Sequence, residues 1–227
     1  ENHMDHIAQE LGIDRREYRL RHLFRNGDSL PNGQILDDAD ILREGFDIVE
    51  RIAPWTPDCT KKLPYRGVGL AAAVWLVNPL PGAATVKIEE DGTASVITSA
   101  TDNGTGALAT GVPQIVAEVL GLPAEDVRVS EPDTDLTGYD AGSQGGRTTQ
   151  TVGNAALMAA KEVRAKLIEM GAQLLQVEPD QLELSEGSIR IVGKPESRMT
   201  VSEVATAATF STGPIQGTGR ALIAPVP

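Results

Sequence analysis

Apolar positions recur along this chain first at helical spacing and then at strand spacing, and the change divides it. Met4, Ile7 and Leu11 fall at i, i+3 and i+7, the period of one helix face. Asp14-Arg15-Arg16-Glu17 has the form of a capping box, and Tyr18, Leu20, Leu23 and Phe24 supply the apolar face behind it. Gly27-Asp28 and Pro31-Asn32-Gly33 interrupt the pattern. It resumes from Asp38 to Ile52 as an amphipathic helix whose buried stripe is Ile41, Leu42, Phe46 and Val49. Residues 1–53 therefore read as a helical segment, and residues 54–64, with Pro54, Pro57 and Pro64, as a linker.

From residue 65 the pattern shortens. Arg66 to Val77 is small and apolar and reads as a buried strand. Thr85 to Glu89 and Ala94 to Ser99 flank Glu90-Asp91-Gly92-Thr93 as a β-hairpin. A glycine-bearing loop over 100–107 precedes a helix from Val112 to Leu120, and Val127-Arg128-Val129 is a short strand. A loop over 132–147 leads into a long helix from Thr148 to Leu175. Leu182 to Leu184 and Ile189 to Val192 flank Glu186-Gly187 as a second hairpin, and Ser202-Glu203 opens a short last helix. Hairpins set apart from helices, without βαβ alternation, give an α+β fold.

Charge and composition narrow the function. Lys plus Arg number 20 and Asp plus Glu 32, a net charge of −12. Such a chain repels nucleic-acid phosphates and anionic membrane surfaces. No apolar run or leader points to a membrane span or secretion, so the expected setting is the cytoplasm. Cys59 is the one cysteine, which excludes an internal disulfide and a cysteine-ligated cluster held by this chain alone.

Self-contained catalytic chemistry is missing. His3, His6 and His22 all lie in the helical segment. They read as exposed helix histidines, since no third ligand completes a metal site. No nucleophile elbow surrounds Ser143 or Ser211. Asp133, Asp135 and Asp140 lack the glycine and glutamate of a calcium loop and read as turn-forming acids. Trp55 and Trp75 make no stacking platform, and Cys59, beside Lys61 and Lys62, reads as an incidental thiol.

Two glycine loops remain. Asp102-Asn103-Gly104-Thr105-Gly106-Ala107 leads toward the first helix of this region. Taken alone it reads more readily as a plain turn, with backbone offered to a ligand as the alternative. Gly142-Ser143-Gln144-Gly145-Gly146-Arg147-Thr148-Thr149 runs into the longest helix. Glycine amides, hydroxyls, an amide side chain and a guanidinium there suit a phosphate or pyrophosphate. The competing reading is an ordinary loop before a capped helix.

The ordered series resembles a known family. Thr101-Asp102-Asn103-Gly104-Thr105-Gly106, then Pro113-Gln114-Ile115 through Leu120-Gly121-Leu122-Pro123, Val127-Arg128-Val129, Asp133-Thr134-Asp135 and Gly142 to Thr149 is similar to the molybdopterin-binding large subunit of the xanthine dehydrogenase/aldehyde oxidase enzymes. Met4-Asp5-His6-Ile7-Ala8 through Asn26-Gly27-Asp28 is similar to the helical stretch ahead of the cofactor loops there. The resemblance implies a molybdenum–molybdopterin cofactor, in bacteria often the cytosine dinucleotide form. It implies hydroxylation of aldehydes or N-heterocycles with water as oxygen source, and electron transfer to [2Fe–2S] clusters and FAD on partner subunits or domains. Residues 65–227 would then be part of the cofactor domain, with Gly104, Thr105 and Gly106 as the first cofactor loop. Ser143, Gln144, Gly145, Gly146, Arg147, Thr148 and Thr149 would form the second. Thr105 stands where the family often has glutamine, and the run from Gly106 to Gln114 is one residue longer than usual.

Patterning at both ends reads as a piece of a longer subunit, with a natural short subunit as the alternative. The resemblance places the family's catalytic glutamate beyond Pro227. No catalytic residue is therefore assigned, and the piece alone is expected to be inactive and prone to self-association. The competing function is a non-catalytic nucleotide-binding or assembly module using the same loops.

Overall fold

The computed structural model describes residues 1–31, 33–53, 55, 64–65, 67–73 and 80–222. They fall into two compact units whose boundary lies at residues 74 and 75. Cys59, Lys61, Lys62 and Trp75 lie outside the described residues, as do residues 66 and 74–77 of the expected strand; residues 67–73 have no regular structure.

The first unit contains α1 (Asn2–Glu10), α2 (Arg15–His22) and α3 (Ile41–Ile52). Asp14 caps α2 by accepting the amides of Arg16 and Glu17 at 2.9 and 3.0 Å, as the sequence predicts. Glu17 does not reach back; its carboxylate accepts from Arg21 Nε instead. The expected apolar faces are only half used. Of the α3 stripe only Phe46 is buried, whereas Ile41 and Val49 are exposed, and the fully buried position of α2 is Arg19. The reason is that polar links join these helices. Arg19 bridges Glu1 and Asp5, each at 2.7 Å, and Arg16 bridges Asp47 and Glu50.

The second unit holds the main core. β1 (Gly82–Ile88) and β2 (Ala94–Ile97) form the expected hairpin, with Ile88 opposite Ala94. β3 (Val127–Val129) joins β2 in parallel, and β7 (Gln216–Ala221) joins β1 antiparallel, giving the order β3-β2-β1-β7. β7 is absent from the sequence reading. Along β1 the inward positions Ala84, Val86 and Ile88 are buried and the alternate ones half-buried, the period-2 signature of a one-sided sheet. Each such Val or Ile stabilises the fold by about 1.5–3 kcal/mol.

α4 (Val112–Leu120) and α5 (Gly153–Leu175) cover that sheet. α5 presents buried Ala155, Ala156, Ala159, Ala160, Val163 and Leu167. Small residues on both partners permit unusually close packing. A Cβ on Gly219 would lie 1.9 Å from the Ala155 carbonyl oxygen, and one on Gly217 2.5 Å from that of Ala159. β4 (Leu182–Ser185), β5 (Ser188–Ile191) and β6 (Lys194–Thr200) make a second antiparallel sheet, β6 being a strand the pattern does not announce. α6 (Val201–Thr209) follows it. The fold is α+β, as expected. No described helix is long and apolar enough to cross a membrane.

Candidate functional site

Both glycine loops arrive at helix starts, and both helices start in the same unusual way. A π turn, Ala107–Gly111, precedes α4, and another, Thr148–Val152, precedes α5. Such wide turns are rare and recur at functional sites. They lie against each other: a Cβ on Gly111 would sit 3.8 Å from Thr149 Cγ2 and 3.9 Å from its Oγ1. The leading amides of both helices therefore share one region, each lacking an intrahelical acceptor and each at the positive end of a helix dipole.

The first loop is wound by its own side chains. Thr98 Oγ1 donates to the Ala83 carbonyl as β2 ends. Asp102 Oδ1 then accepts the Gly104 amide at 2.7 Å, and Asn103 Oδ1 accepts the Thr105 hydroxyl at 2.8 Å and, longer, its amide. Gly104 and Gly106 have φ of 85° and 77°, a region costly for side chains other than glycine. The Gly106 carbonyl accepts the amides of Thr110 and Gly111. Gly104 and Thr105 are exposed and Gly106 half-buried, but the Gly104 and Thr105 amides are occupied within the loop.

The second loop is fastened to the first. Ser143 Oγ donates to the Thr101 carbonyl at 2.9 Å and accepts from Thr148 Oγ1 at 3.0 Å. Thr137 is held by Ser99 Oγ at 2.5 Å, and Ser99 also donates to the Gly138 carbonyl. Gly145 and Gly146 adopt φ of 56° and 69°, and no described residue accepts either amide. Gln144 donates its side-chain amide to the Ala141 carbonyl, and both Gln144 and Thr149 are exposed.

Arg147 behaves unlike the other predicted site residues. It is 0% exposed, and its terminal nitrogens face Asp140, Gly142, Pro81 and Leu80. The charged member of the loop is thus engaged internally through both terminal nitrogens, its buried Nε alone lacking an acceptor among the described residues, while the Gly145 and Gly146 amides and the Thr149 hydroxyl are left open. Asp140 is the partner that sequence reasoning misses, since it reads there as one turn-forming acid among three. Asp133 does form such a turn, accepting the Asp135 amide at 2.8 Å.

Other candidates stay apart. His3, His6 and His22 are exposed, and among the described residues no group of three or more His, Cys, Asp or Glu could hold a metal ion. A cleft of about 620 Å³ between the end of α4 and the β4–β5 turn is lined by Gln114, Glu118, Leu122 and Glu186, none of them predicted site residues.

Comparison with known proteins bears on this region. Residues 44–223 match a family model described as a molybdopterin cofactor-binding domain. A putative xanthine dehydrogenase molybdenum-binding subunit of Escherichia coli is 35% identical over 208 residues, covering 86% of this chain and 27% of that subunit. The nicotine 6-hydroxylase large subunit of Paenarthrobacter nicotinovorans is 25% identical over 227 residues, covering 91% of this chain and 28% of its own length. Among solved structures, a copper–molybdenum carbon monoxide dehydrogenase superposes with a TM-score of 0.66 at 22% identity, over 96% of this chain and 31% of that one. Quinoline 2-oxidoreductase from Pseudomonas putida gives 0.64 at 22%. These structural likenesses show the fold. The chain spans roughly a quarter to a third of the length of these four relatives.

Proposed function

The chain belongs to the molybdopterin cofactor-binding domain family, and from that premise we propose that its two glycine loops together hold the anionic part of the cofactor. One observation carries the reading: the π turns that begin α4 and α5 lie side by side, so two sets of helix-start amides address one region. That donor set fits the group. Backbone amides at helix starts suit phosphate oxygens, and glycine lets them approach closely.

The residues divide the work. The amides of Gly145 and Gly146, with the leading amides of both π turns, would meet anionic oxygens. Thr149, Gln144 and Thr105 would offer exposed polar side chains at the edge. Gly104 and Gly106 set the curve of the first loop, and Ser143 and Thr148 tie the second loop to it. Arg147 supports the loop from within. When bound, the molybdenum of the cofactor supplies the redox chemistry; these residues bind and orient it.

Residues 65–227 would form part of the cofactor domain, joined through the linker 54–64 to the helical segment 1–53, which would lead in from an upstream region. The whole protein would hydroxylate aldehydes or N-heterocycles with water as oxygen source in the cytoplasm. It would bind the cytosine dinucleotide form of the cofactor and pass electrons to [2Fe–2S] and FAD subunits. Catalysis would require the remainder of the large subunit, and this part alone would be inactive and able to self-associate.

The test is the molybdenum and pterin content of the complete subunit, native and with Gly145→Ala plus Gly146→Ala. Forcing side chains into left-handed backbone costs about 1–3 kcal/mol per residue, so cofactor content is expected to fall about tenfold or more. Unchanged content would overturn the assignment of this loop. Loss of metal with nucleotide affinity retained in the native protein would favour the nucleotide-binding module.

A further inference from the structure

Arg147 is the largest fully buried side chain among the described residues. Nη1 donates to Asp140 Oδ1 at 2.9 Å and to the Gly142 carbonyl at 2.8 Å. Nη2 donates to Asp140 Oδ2 at 3.2 Å, to the Pro81 carbonyl at 2.6 Å and to the Leu80 carbonyl at 3.4 Å. The Asp140 side chain is itself only 2% exposed, and its Oδ1 also accepts the Gly142 amide at 2.8 Å. One forked ion pair therefore joins the segment leading into β1, the start of the second loop and the start of α5. Gly82 leaves room for it, since a Cβ there would lie 3.3 Å from Nη2.

We propose that Asp140 and Arg147 are a positioning pair that fixes the curve of residues 140–147 before any cofactor arrives, and that Arg147 does not itself bind the cofactor's phosphate. The inference rests on the cofactor reading above and goes beyond it in assigning the one cation of the loop to support. Both terminal nitrogens already have acceptors. Swinging the guanidinium toward a ligand would strand a buried carboxylate, which is strongly unfavourable. A lysine could carry the charge, but only a planar fork meets both carboxylate oxygens and three carbonyls at once. Holding Gly145 and Gly146 in place in advance removes the ordering cost from binding.

The two roles predict opposite responses to Asp140→Asn in the complete subunit. A phosphate-binding arginine, freed from its carboxylate, would raise cofactor retention and make it more salt-dependent. A positioning pair predicts a loss of cofactor on the order of 10–100-fold, by analogy with the range seen when outer partners of metal ligands are removed. Amide exchange at residues 141–149 should accelerate while Val86 and Val163 stay protected. Arg147→Lys should lose cofactor as Asp140→Asn does, whereas retention in the lysine variant would mark Arg147 as a simple charge donor. Retained cofactor with unchanged loop exchange in Asp140→Asn overturns the proposal. So does accelerated exchange at Val86 and Val163 as well, because the pair would then serve folding alone. If the native subunit carries no cofactor, the cofactor reading fails, and the exchange comparison still decides whether the pair sets the loop.

Discussion

Gly219 and Gly104 show how differently two glycines can matter. At Gly219 a methyl group would enter the space of the Ala155 carbonyl, whereas a Cβ at Gly104 meets nothing within 4 Å. Gly219→Ala should therefore destabilise the second unit by about 3 kcal/mol or more, the scale of severe overpacking. Gly104→Ala should cost only its left-handed backbone strain, about 1 kcal/mol. Chemical denaturation of the two variants checks the order. Sequence reading singles out the loop glycines because they sit among polar residues, and passes over Gly217 and Gly219, whose need arises from a helix across the sheet. Arg147 is misjudged for a related reason. Residue type shows that the loop carries a cation, and only the fold shows that Asp140, seven positions earlier, has already claimed it.

Between elements, the free edge of β7 is covered by α5. Glu162 accepts the Thr218 amide at 2.9 Å, and Lys166 donates to the Gln216 carbonyl at 2.7 Å. Capping an edge with charged side chains limits its pairing with other chains. The hydrogen bond from Lys166, reinforced by the Thr218 amide, holds the Glu162 carboxyl below its ordinary value of 4.5. A depressed carboxylate contributes stability that is complete above pH 4.5 and lost as pH falls through the lower folded value. The protection of the Thr218 amide, relative to its intrinsic exchange rate at each pH, should thus fall below pH 4.5, and Glu162→Gln should abolish that acid-dependent step. α6 offers a second check. The sequence places its start at Ser202-Glu203; the structure caps it with Thr200, whose hydroxyl accepts the Glu203 amide while Glu203 returns to the Thr200 amide. Thr200→Ala should cost about 1 kcal/mol, measurable by denaturation. β6 and β7 escape the pattern because Lys-Pro-Glu-Ser-Arg-Met-Thr and Gln-Gly-Thr-Gly-Arg-Ala are poor strand formers. Their partners β5 and β1 impose the conformation.

Across the whole molecule, local and long-range information separate cleanly. The first hairpin, α4, β3, the long α5 and the second hairpin are legible because each declares itself within a dozen or so neighbouring residues. The ordered loops carry the family, since each motif is weak alone and their sequence is not. What the pattern cannot supply is convergence: the Ser143–Thr101 tie spans 42 residues and the Arg147–Pro81 contact 66. The first unit fails for the opposite reason. Its apolar stripes predict burial, yet its helices are joined by arginine–carboxylate bridges, leaving Ile41 and Val49 at 66% and 49% exposure.

Above all, we propose that the paired starts of α4 and α5 receive the cofactor. Crystals of the complete subunit, with molybdenum located by its anomalous scattering, test it most directly. Pterin or phosphate oxygens are expected within about 3 Å of the amides of residues 106–109 and of Gly145, Gly146, Thr148 and Thr149, the reach of an N–H···O bond, with Arg147 still closed on Asp140. A cofactor seated elsewhere, with both glycine loops facing solvent, would contradict it.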